Sequence, residues 1–218
     1  MYKPVITKEK VKTIYENRFL KAYDLQYEEG KHYYVASRRT LNELTAIMND
    51  DEIKNMVPDA VSCAVILNIK GREPVLCLSR EYRFPAGHFL LSVPAGLIDK
   101  EDVENENPAF VAAKRELEEE MGIKLENSDE LTFVSPLLFS TPGMTDESNA
   151  VVQVVINRDS MPVLSQEGAV GGECFDGFVM LTKDEAIKVL RKGADVDGIY
   201  FSTYTWIALM VFVSGMWK

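Results

Sequence analysis

The sequence predicts a mixed α/β (α+β) protein, and three features carry that prediction. Short apolar segments bounded by turn residues recur along the chain and indicate strands. Two segments with apolar residues at steps of three and four indicate helices, and strands lie between them. This order favours a mixed sheet. At 218 residues, 46% of them hydrophobic, the chain is long enough to bury a sizeable core.

Residues 10–39 form the first recognisable unit. Apolar and polar side chains alternate there around two turns, which predicts an antiparallel meander of about three strands. Arg38 and Arg39 close the meander, and the pair fits a solvated strand end as well as a ligand contact. Residues 40–60 are polar and acidic, and they predict a short helix or a linker.

The remaining chain alternates between apolar strands and polar connections. Strands are predicted over 61–67, 74–83, 89–98, 131–139, 150–157 and 175–181. Residues 99–107 are acidic and predict a solvated loop. Thr182 with Glu185 three residues later predicts the start of a helix that runs to Gly193. The apolar segment 206–217 is too short to span a bilayer and predicts a buried terminal helix or strand.

Composition narrows the classes of partner and compartment. The formal net charge is −10, which argues against nonspecific binding to nucleic acid or anionic membranes, because both require a basic surface. Cys63, Cys77 and Cys174 are too few and too scattered for a disulfide framework or a zinc site. Cys63 and Cys77 lie in apolar runs and are expected to be buried thiols. Without a recognisable signal segment, we expect a cytoplasmic protein.

A helix is predicted over residues 108–121. From Ala109 onward the apolar residues recur on one helical face. Pro108 suits the first turn, where its missing N–H costs nothing, and Asn107 before it is a candidate N-cap. Gly122 suits the residue that follows the helix.

Three glutamates on this helix carry the chemistry. Glu116, Glu119 and Glu120 lie at i, i+3 and i+4 and converge on one patch. Carboxylates this close raise one another's pKa unless a cation neutralises them. Their hard oxygen atoms suit Mg²⁺ or Mn²⁺. The alternative is a solvated acidic face, which the flanking glycines and the apolar face behind the run disfavour.

Gly96 and the run from Arg115 to Ile123 resemble the Nudix box. That motif is Gly, five residues, Glu, seven residues, then Arg-Glu-apolar-x-Glu-Glu-x-Gly-apolar. The second half matches at every specified position. The first half departs, because Gly96 precedes Arg115 by nineteen positions where the motif has fourteen. Asn107 stands where the first Glu belongs, and Glu104 or Glu106 is the candidate to replace it.

Three further segments, 80–85, 93–99 and 140–147, are similar to the ADP-ribose pyrophosphatase branch of this family. That branch carries an N-terminal antiparallel sheet exchanged between the subunits of a dimer. The resemblance covers about residues 10–210. It implies an α/β/α sandwich over 46–218, preceded by a dimerisation sheet over 1–45, in a homodimer.

The resemblance also implies an activity, which is metal-dependent hydrolysis of the pyrophosphate bond of a nucleoside diphosphate linked to another moiety. The expected reaction converts ADP-ribose to AMP and ribose 5-phosphate with Mg²⁺ or Mn²⁺. The implied metal ligands are Glu116, Glu119, Glu120 and the carbonyl of Ala95. Arg115 is expected to pair with a helix carboxylate and to orient it. A general base is expected from the loop 165–173, with Glu167 as first choice and Glu173 as second.

The resemblance extends to substrate contacts. Arg83 is the candidate contact to the diphosphate, with Arg38 or Arg39 reaching in from the partner subunit. Further candidates are Leu97 beside the ribose, Glu81 and Asp146 lining the pocket, Phe19 or Tyr82 stacking on adenine, and a lid of Pro142 and Met144 hinged at Gly143.

Other functions remain open at this point. The substrate is a small nucleotide in each enzymatic alternative, namely another nucleotide sugar, a dinucleotide such as NADH, or a nucleoside triphosphate. The N-terminal sheet disfavours the triphosphate. A non-catalytic domain that senses ADP-ribose is the alternative from another class, and the intact glutamate pairs disfavour it. An acidic scaffold would explain the composition but not the placed glycines.

Overall fold

In a computed structural model that describes residues 4–218, strands and helices are interspersed, as the sequence predicts. The strands are β1 (Val11–Glu16), β2 (Lys21–Glu28), β3 (Lys31–Ser37), β4 (Ala60–Ile69), β5 (Val75–Arg83), β6 (His88–Ser92), β7 (Ala95–Leu97), β8 (Glu130–Phe139), β9 (Ser148–Arg158) and β10 (Phe175–Leu181). The α-helices are α1 (Asp50–Lys54), α2 (Lys100–Val103), α3 (Pro108–Met121), α4 (Lys183–Lys192) and α5 (Thr203–Ser214). Short 3₁₀ turns cover Lys8–Lys10, Leu41–Glu43 and Thr45–Ile47.

The chain divides into two compact units. The first contains the described residues up to Asp59 together with Leu138–Asn149. The second contains Ala60–Leu137 and Ala150–Lys218. The extents 1–45 and 46–218 that the resemblance implies for the two domains remain a prediction.

The first unit is built on the predicted meander. β1, β2 and β3 form an antiparallel sheet in that order, so the strand prediction for residues 10–39 is confirmed. Alternate residues of β2 point inward, and Tyr23 and Leu25 pack with Leu44 in a small core. The region after the meander contains the short helix α1, which Asn49 caps by accepting hydrogen bonds from two backbone N–H groups.

The second unit is a sheet with helices on both faces. Over the described residues its strand order is β10-β5-β4-β9-β8, with β6 paired to β5 and β7 paired to β4. Because side chains alternate along a strand, β4 serves two cores. Val61, Cys63 and Val65 pack with α3, while Ala64 and Ile66 pack with α4 and α5.

Helix α3 has the predicted bounds, and its local sequence explains both ends. Pro108 occupies the first turn, and Gly122 follows the last turn with a φ of 68°, a conformation that favours glycine. Ala112, Leu117 and the other apolar residues of the predicted face are buried. Asn107 is at the N-cap, but its side chain makes no capping hydrogen bond. Glu116 and Glu120 are buried along with this apolar face.

Two predicted segments are wrong in detail. The single strand expected over 89–98 is two strands, β6 and β7, that pair with different neighbours. Pro94 lies between them and has no N–H to donate to a ladder. The expected loop over 99–107 contains helix α2, with Asp102 accepting a hydrogen bond from the backbone N–H of Asp99.

The C-terminal half confirms its predictions. The side chain of Thr182 accepts from the N–H of Glu185, and α4 ends at Gly193, as expected. The apolar terminal segment, left open between helix and strand, is helix α5, and its buried residues complete the second core. No helix within residues 4–218 has the length and apolar character needed to cross a bilayer.

A buried ion pair links the start of β8 to the end of β9. Asp129, whose side chain is 1% exposed, accepts hydrogen bonds from the Arg158 guanidinium and from the N–H groups of Asn157 and Glu126 at 2.9 and 2.8 Å. Burial alone would raise the pKa of Asp129, but these hydrogen bonds outweigh it and lower the pKa. The charged pair therefore stabilises the fold wherever Asp129 is ionised.

We expect Asp129→Asn to destabilise the protein by about 2 kcal/mol at pH 7, because it removes the buried carboxylate from the Arg158 guanidinium and leaves only the exposed Glu126 at 3.1 Å. The folded pKa of Asp129 is below 3.8, so the difference from wild type persists above that pH and shrinks as pH falls through the folded pKa. Urea unfolding at several pH values measures it. Asp159→Asn is the control, because Asp159 is 87% exposed; equal midpoints for the two variants would contradict the assignment.

Candidate active site

The site is centred where β7 passes helix α3. The N–H of Ala95 donates to Oε1 of Glu120 at 3.3 Å. At Gly96 a Cβ atom would lie 1.8 Å from Oε1 of Glu116, so only glycine fits. Because Ala95 and Gly96 are fixed by pairing with β4, the close approach is built into the sheet. The glycine is required for space rather than for an unusual backbone conformation.

Glu116 and Glu120 are buried carboxyl groups, each 4% exposed. Burial raises the pKa of Glu120 to about 9, and the charges of Glu116, Glu81 and Glu173 add to the shift. Burial likewise raises the pKa of Glu116 to about 7, although Arg115 opposes the change. The site is therefore short of positive charge when both groups are ionised.

The donors fit a hard divalent cation on chemical grounds. Among residues 4–218, no three His, Cys, Asp or Glu side chains are already arranged around a common point. The buried oxygen atoms of Glu116 and Glu120 nevertheless lie at β7, and Glu119 on the same helix is half-buried. A cation there would offset the cost of ionising these groups. Ala95 contacts Glu120 through its N–H, so the carbonyl oxygen of the same residue remains a proposed metal ligand.

Arg115 is engaged by protein groups on several sides. Its NH1 is 2.5 Å from Oε1 of Glu116, and its NH2 donates to the carbonyl of Leu97 at 2.9 Å. The carboxylates of Asp99 and Asp102 both lie 3.4 Å from NH2. Burial by itself would lower the pKa of Arg115, but these anions outweigh it and raise the pKa. The predicted pairing of Arg115 with a helix carboxylate is present.

The end of β5 adds a fourth carboxyl group. Glu81 is 7% exposed, and Arg83 is paired with it at 2.7 Å. Burial raises the pKa of Glu81, and Glu173 adds to this, while Arg83 and Ser92 oppose it. Arg83 is itself nearly half exposed.

Glu173 in the late loop interacts electrostatically with the carboxyl groups of the site. Its charge contributes to the raised pKa values of Glu81, Glu116 and Glu120. Both Glu167 and Glu173 are exposed. The N–H of Glu167 donates to the Ser165 hydroxyl at 3.2 Å, and the Glu173 side chain accepts from the N–H of Val170 at 2.9 Å. Which of the two is the general base stays a prediction.

Arg38, Arg39, Phe19 and Met144 belong to the first compact unit. Arg39 is 10% exposed and pairs with Asp59 at 2.9 Å and with Asp146 at 3.7 Å, so its guanidinium is enclosed by its own unit. Arg38 pairs with Glu147 at 2.9 Å and shares a surface pocket with the exposed ring of Phe19. Met144 is 67% exposed.

Asp102 is the residue that sequence reasoning missed. It is 6% exposed, in a segment expected to be solvated, and it contacts Arg115. The seven-residue spacing of the motif, taken back from Arg115, places the first Glu at Asn107. The five-residue spacing, taken forward from Gly96, places it at Asp102, and this spacing is the signal in the sequence that points to Asp102.

Comparison with known proteins agrees with this geometry. The sequence model of the NUDIX domain matches residues 56–196. The chain belongs to the Nudix family. An ADP-ribose pyrophosphatase of Saccharomyces cerevisiae is 30% identical over 64% of this chain and 58% of its own length. An ADP-sugar pyrophosphatase of Mus musculus is 31% identical over 62% of this chain and 57% of its own length. The chain thus matches less than two thirds of either protein.

A solved structure shows the same fold. The crystal structure of an ADP compounds hydrolase superposes on this Nudix chain with a TM-score of 0.51 and 20% sequence identity. The match covers 95% of this chain and 90% of that chain. Because the sequence identity is low, this similarity supports the fold alone.

We expect Glu120→Gln to stabilise the metal-free protein by at least about 1 kcal/mol at pH 8.5. In the unfolded chain Glu120 ionises near pH 4.5, whereas in the folded state its pKa is about 9. The loss of unfolding free energy that Glu120 causes in the wild type is therefore absent below pH 4.5 and grows until about pH 9.

Thermal unfolding in EDTA at pH 5 and pH 8.5 measures this difference. Glu118→Gln is the matched control, because Glu118 is on the same helix, is 48% exposed and pairs with the exposed Lys124. It should leave the stability nearly unchanged at both pH values. A Glu120→Gln protein that is less stable than wild type at pH 8.5 would contradict the burial argument.

Proposed function

We propose that this Nudix chain hydrolyses the pyrophosphate bond of a nucleoside diphosphate linked to another moiety, with ADP-ribose as the substrate. The products are AMP and ribose 5-phosphate. The observation that carries the proposal is the burial of Glu116 and Glu120 against β7, beside Arg115, where ionisation of both carboxyl groups requires a cation. The yeast and mouse relatives, an ADP-ribose and an ADP-sugar pyrophosphatase, support this substrate class.

The proposed metal ligands are Glu116, Glu119, Glu120 and the carbonyl of Ala95, with Mg²⁺ or Mn²⁺ as the ion. When bound, such an ion polarises the phosphoryl group and lowers the pKa of a water molecule. Two or more negative phosphate groups could not otherwise approach an acidic chain. Arg115 would hold Glu116 in place through the hydrogen bond described above.

The remaining steps fall to other side chains. Glu173 would accept the proton of the attacking water as its oxygen bonds to phosphorus and the bridging P–O bond breaks. Arg83 would exchange its pairing with Glu81 for the diphosphate, since its side chain is 45% exposed. Leu97, also exposed, would border the ribose.

The first compact unit enters the proposal through a partner subunit. Its sheet exposes large apolar side chains, among them Ile14, Tyr15 and Tyr34. We also propose a homodimer, in which Arg38 and Met144 of one subunit contact the substrate bound by the other. We further propose a cytoplasmic location. Arg39 is a weaker candidate for such a contact, because Asp59 and Asp146 already engage it.

Metal dependence is tested with ADP-ribose and Mg²⁺. We expect the wild type to release AMP and Glu120→Gln to lose more than about 100-fold in kcat, because a ligand to the ion is neutralised. Circular dichroism should show retained folding, and Glu118→Gln should match the wild type. Unchanged turnover in Glu120→Gln would remove the metal assignment. Binding of ADP-ribose without turnover in Mg²⁺ or Mn²⁺ would favour the sensing function instead.

The general base is tested by comparing Glu173→Gln with Glu167→Gln. We expect kcat to fall about 10²- to 10⁴-fold in Glu173→Gln, because the attacking water loses its proposed proton acceptor. The acidic limb of the kcat–pH profile should flatten in that variant alone. Loss of activity and of the limb in Glu167→Gln, with Glu173→Gln unaffected, would reverse the assignment.

A further inference from the structure

Asp102 is buried in a segment where every neighbouring acidic residue is exposed. Its exposed fraction is 6%, whereas Asp99 has a side chain that is 59% exposed, and Glu101 and Glu104 are exposed as well. Its Oδ2 accepts from the backbone N–H of Asp99 at 2.9 Å. An ionised carboxylate is costly to bury unless it is paired and hydrogen-bonded, so its partner identifies its role.

That partner is Arg115. Oδ2 of Asp102 lies 3.4 Å from NH2 of Arg115, and NH1 of the same guanidinium lies 2.5 Å from Oε1 of Glu116. The guanidinium is planar and its donors are fixed relative to one another, so an anion at NH2 constrains the direction of NH1. Asp102, Arg115 and Glu116 thus form a continuous chain of charge-assisted contacts from α2 to the proposed metal site.

The spacing along the sequence agrees with this contact. Asp102 is six positions after Gly96, which is the place of the first Glu in the Nudix box. Counted this way, the five extra residues lie at 103–107, between Asp102 and helix α3. The first half of the motif is therefore preserved with Asp in place of Glu, and the insertion lies between the end of α2 and Pro108 at the start of α3.

We propose that Asp102 is a positioning residue that acts through Arg115 to hold Glu116 in its metal-binding orientation. The effect on metal binding rests on the proposed metal site, and only the catalytic consequence rests on the proposed hydrolysis of ADP-ribose. Neither Glu104 nor Glu106 takes this role, since both are exposed.

The test is Mn²⁺ binding to the folded protein, measured by electron paramagnetic resonance without substrate, together with kcat for ADP-ribose. In Asp102→Asn the amide oxygen still accepts from the N–H of Asp99, so α2 is retained while Arg115 loses the negative charge of residue 102 as a partner. We expect Mn²⁺ affinity to weaken about 10- to 100-fold. Asp102→Glu should restore most of it, and Glu101→Gln, an exposed residue of the same helix, should leave it unchanged.

A double-mutant cycle distinguishes positioning from general stability. In an Arg115→Gln background, Asp102→Asn should cause little further loss of Mn²⁺ affinity, because its effect is transmitted through Arg115. Additive losses would overturn the proposal. So would a lower melting temperature in Asp102→Asn with unchanged Mn²⁺ affinity, or a wild type that binds no Mn²⁺.

The two proposals fail in different ways. A wild type that binds Mn²⁺ with the expected dependence on Asp102 but hydrolyses no ADP-ribose supports the positioning role and overturns the proposed function. A wild type that turns over ADP-ribose while Asp102→Asn retains both kcat and Mn²⁺ affinity overturns the positioning role alone.

Discussion

The close contact between Gly96 and Glu116 is the constraint on which the candidate site depends. β7 and α3 approach so nearly that a single added carbon would collide with a carboxylate oxygen. The sheet fixes one side of the contact through the pairing of β7 with β4, and the apolar face of α3 fixes the other by packing on β4. Neither element can retreat without opening the core, so the carboxyl groups stay buried.

Burial of Glu116 and Glu120 opposes stability while it prepares the site for a cation. Each buried carboxyl group has a raised pKa, and the protein around it supplies few compensating charges. The apolar cores on both faces of the sheet offset this cost. Arg115 contributes the nearest positive charge, but it is shared among several anions, which leaves Glu120 without a cation of its own in the described contacts.

The elements were predictable where one local signal was strong. The helical period, Pro108 and Gly122 defined α3, and the capping pair Thr182 and Glu185 defined the start of α4. Errors arose where local signals were ambiguous. An apolar run continued through Pro94 although the chain changes strand partners there, and acidic composition in 99–107 concealed a turn of helix. Composition reports average solvation, and it cannot reveal one acidic residue that turns inward.

The sequence by itself determined the family and the order of most strands along the chain. It also determined the convergence of Glu116, Glu119 and Glu120, because helical periodicity is local. Tertiary structure decided which distant groups meet them. It placed Asp102 on Arg115 and enclosed Arg39 with Asp59 and Asp146. These pairings join residues separated by many positions along the chain, and they depend on how strands and loops pack rather than on any repeat in the sequence.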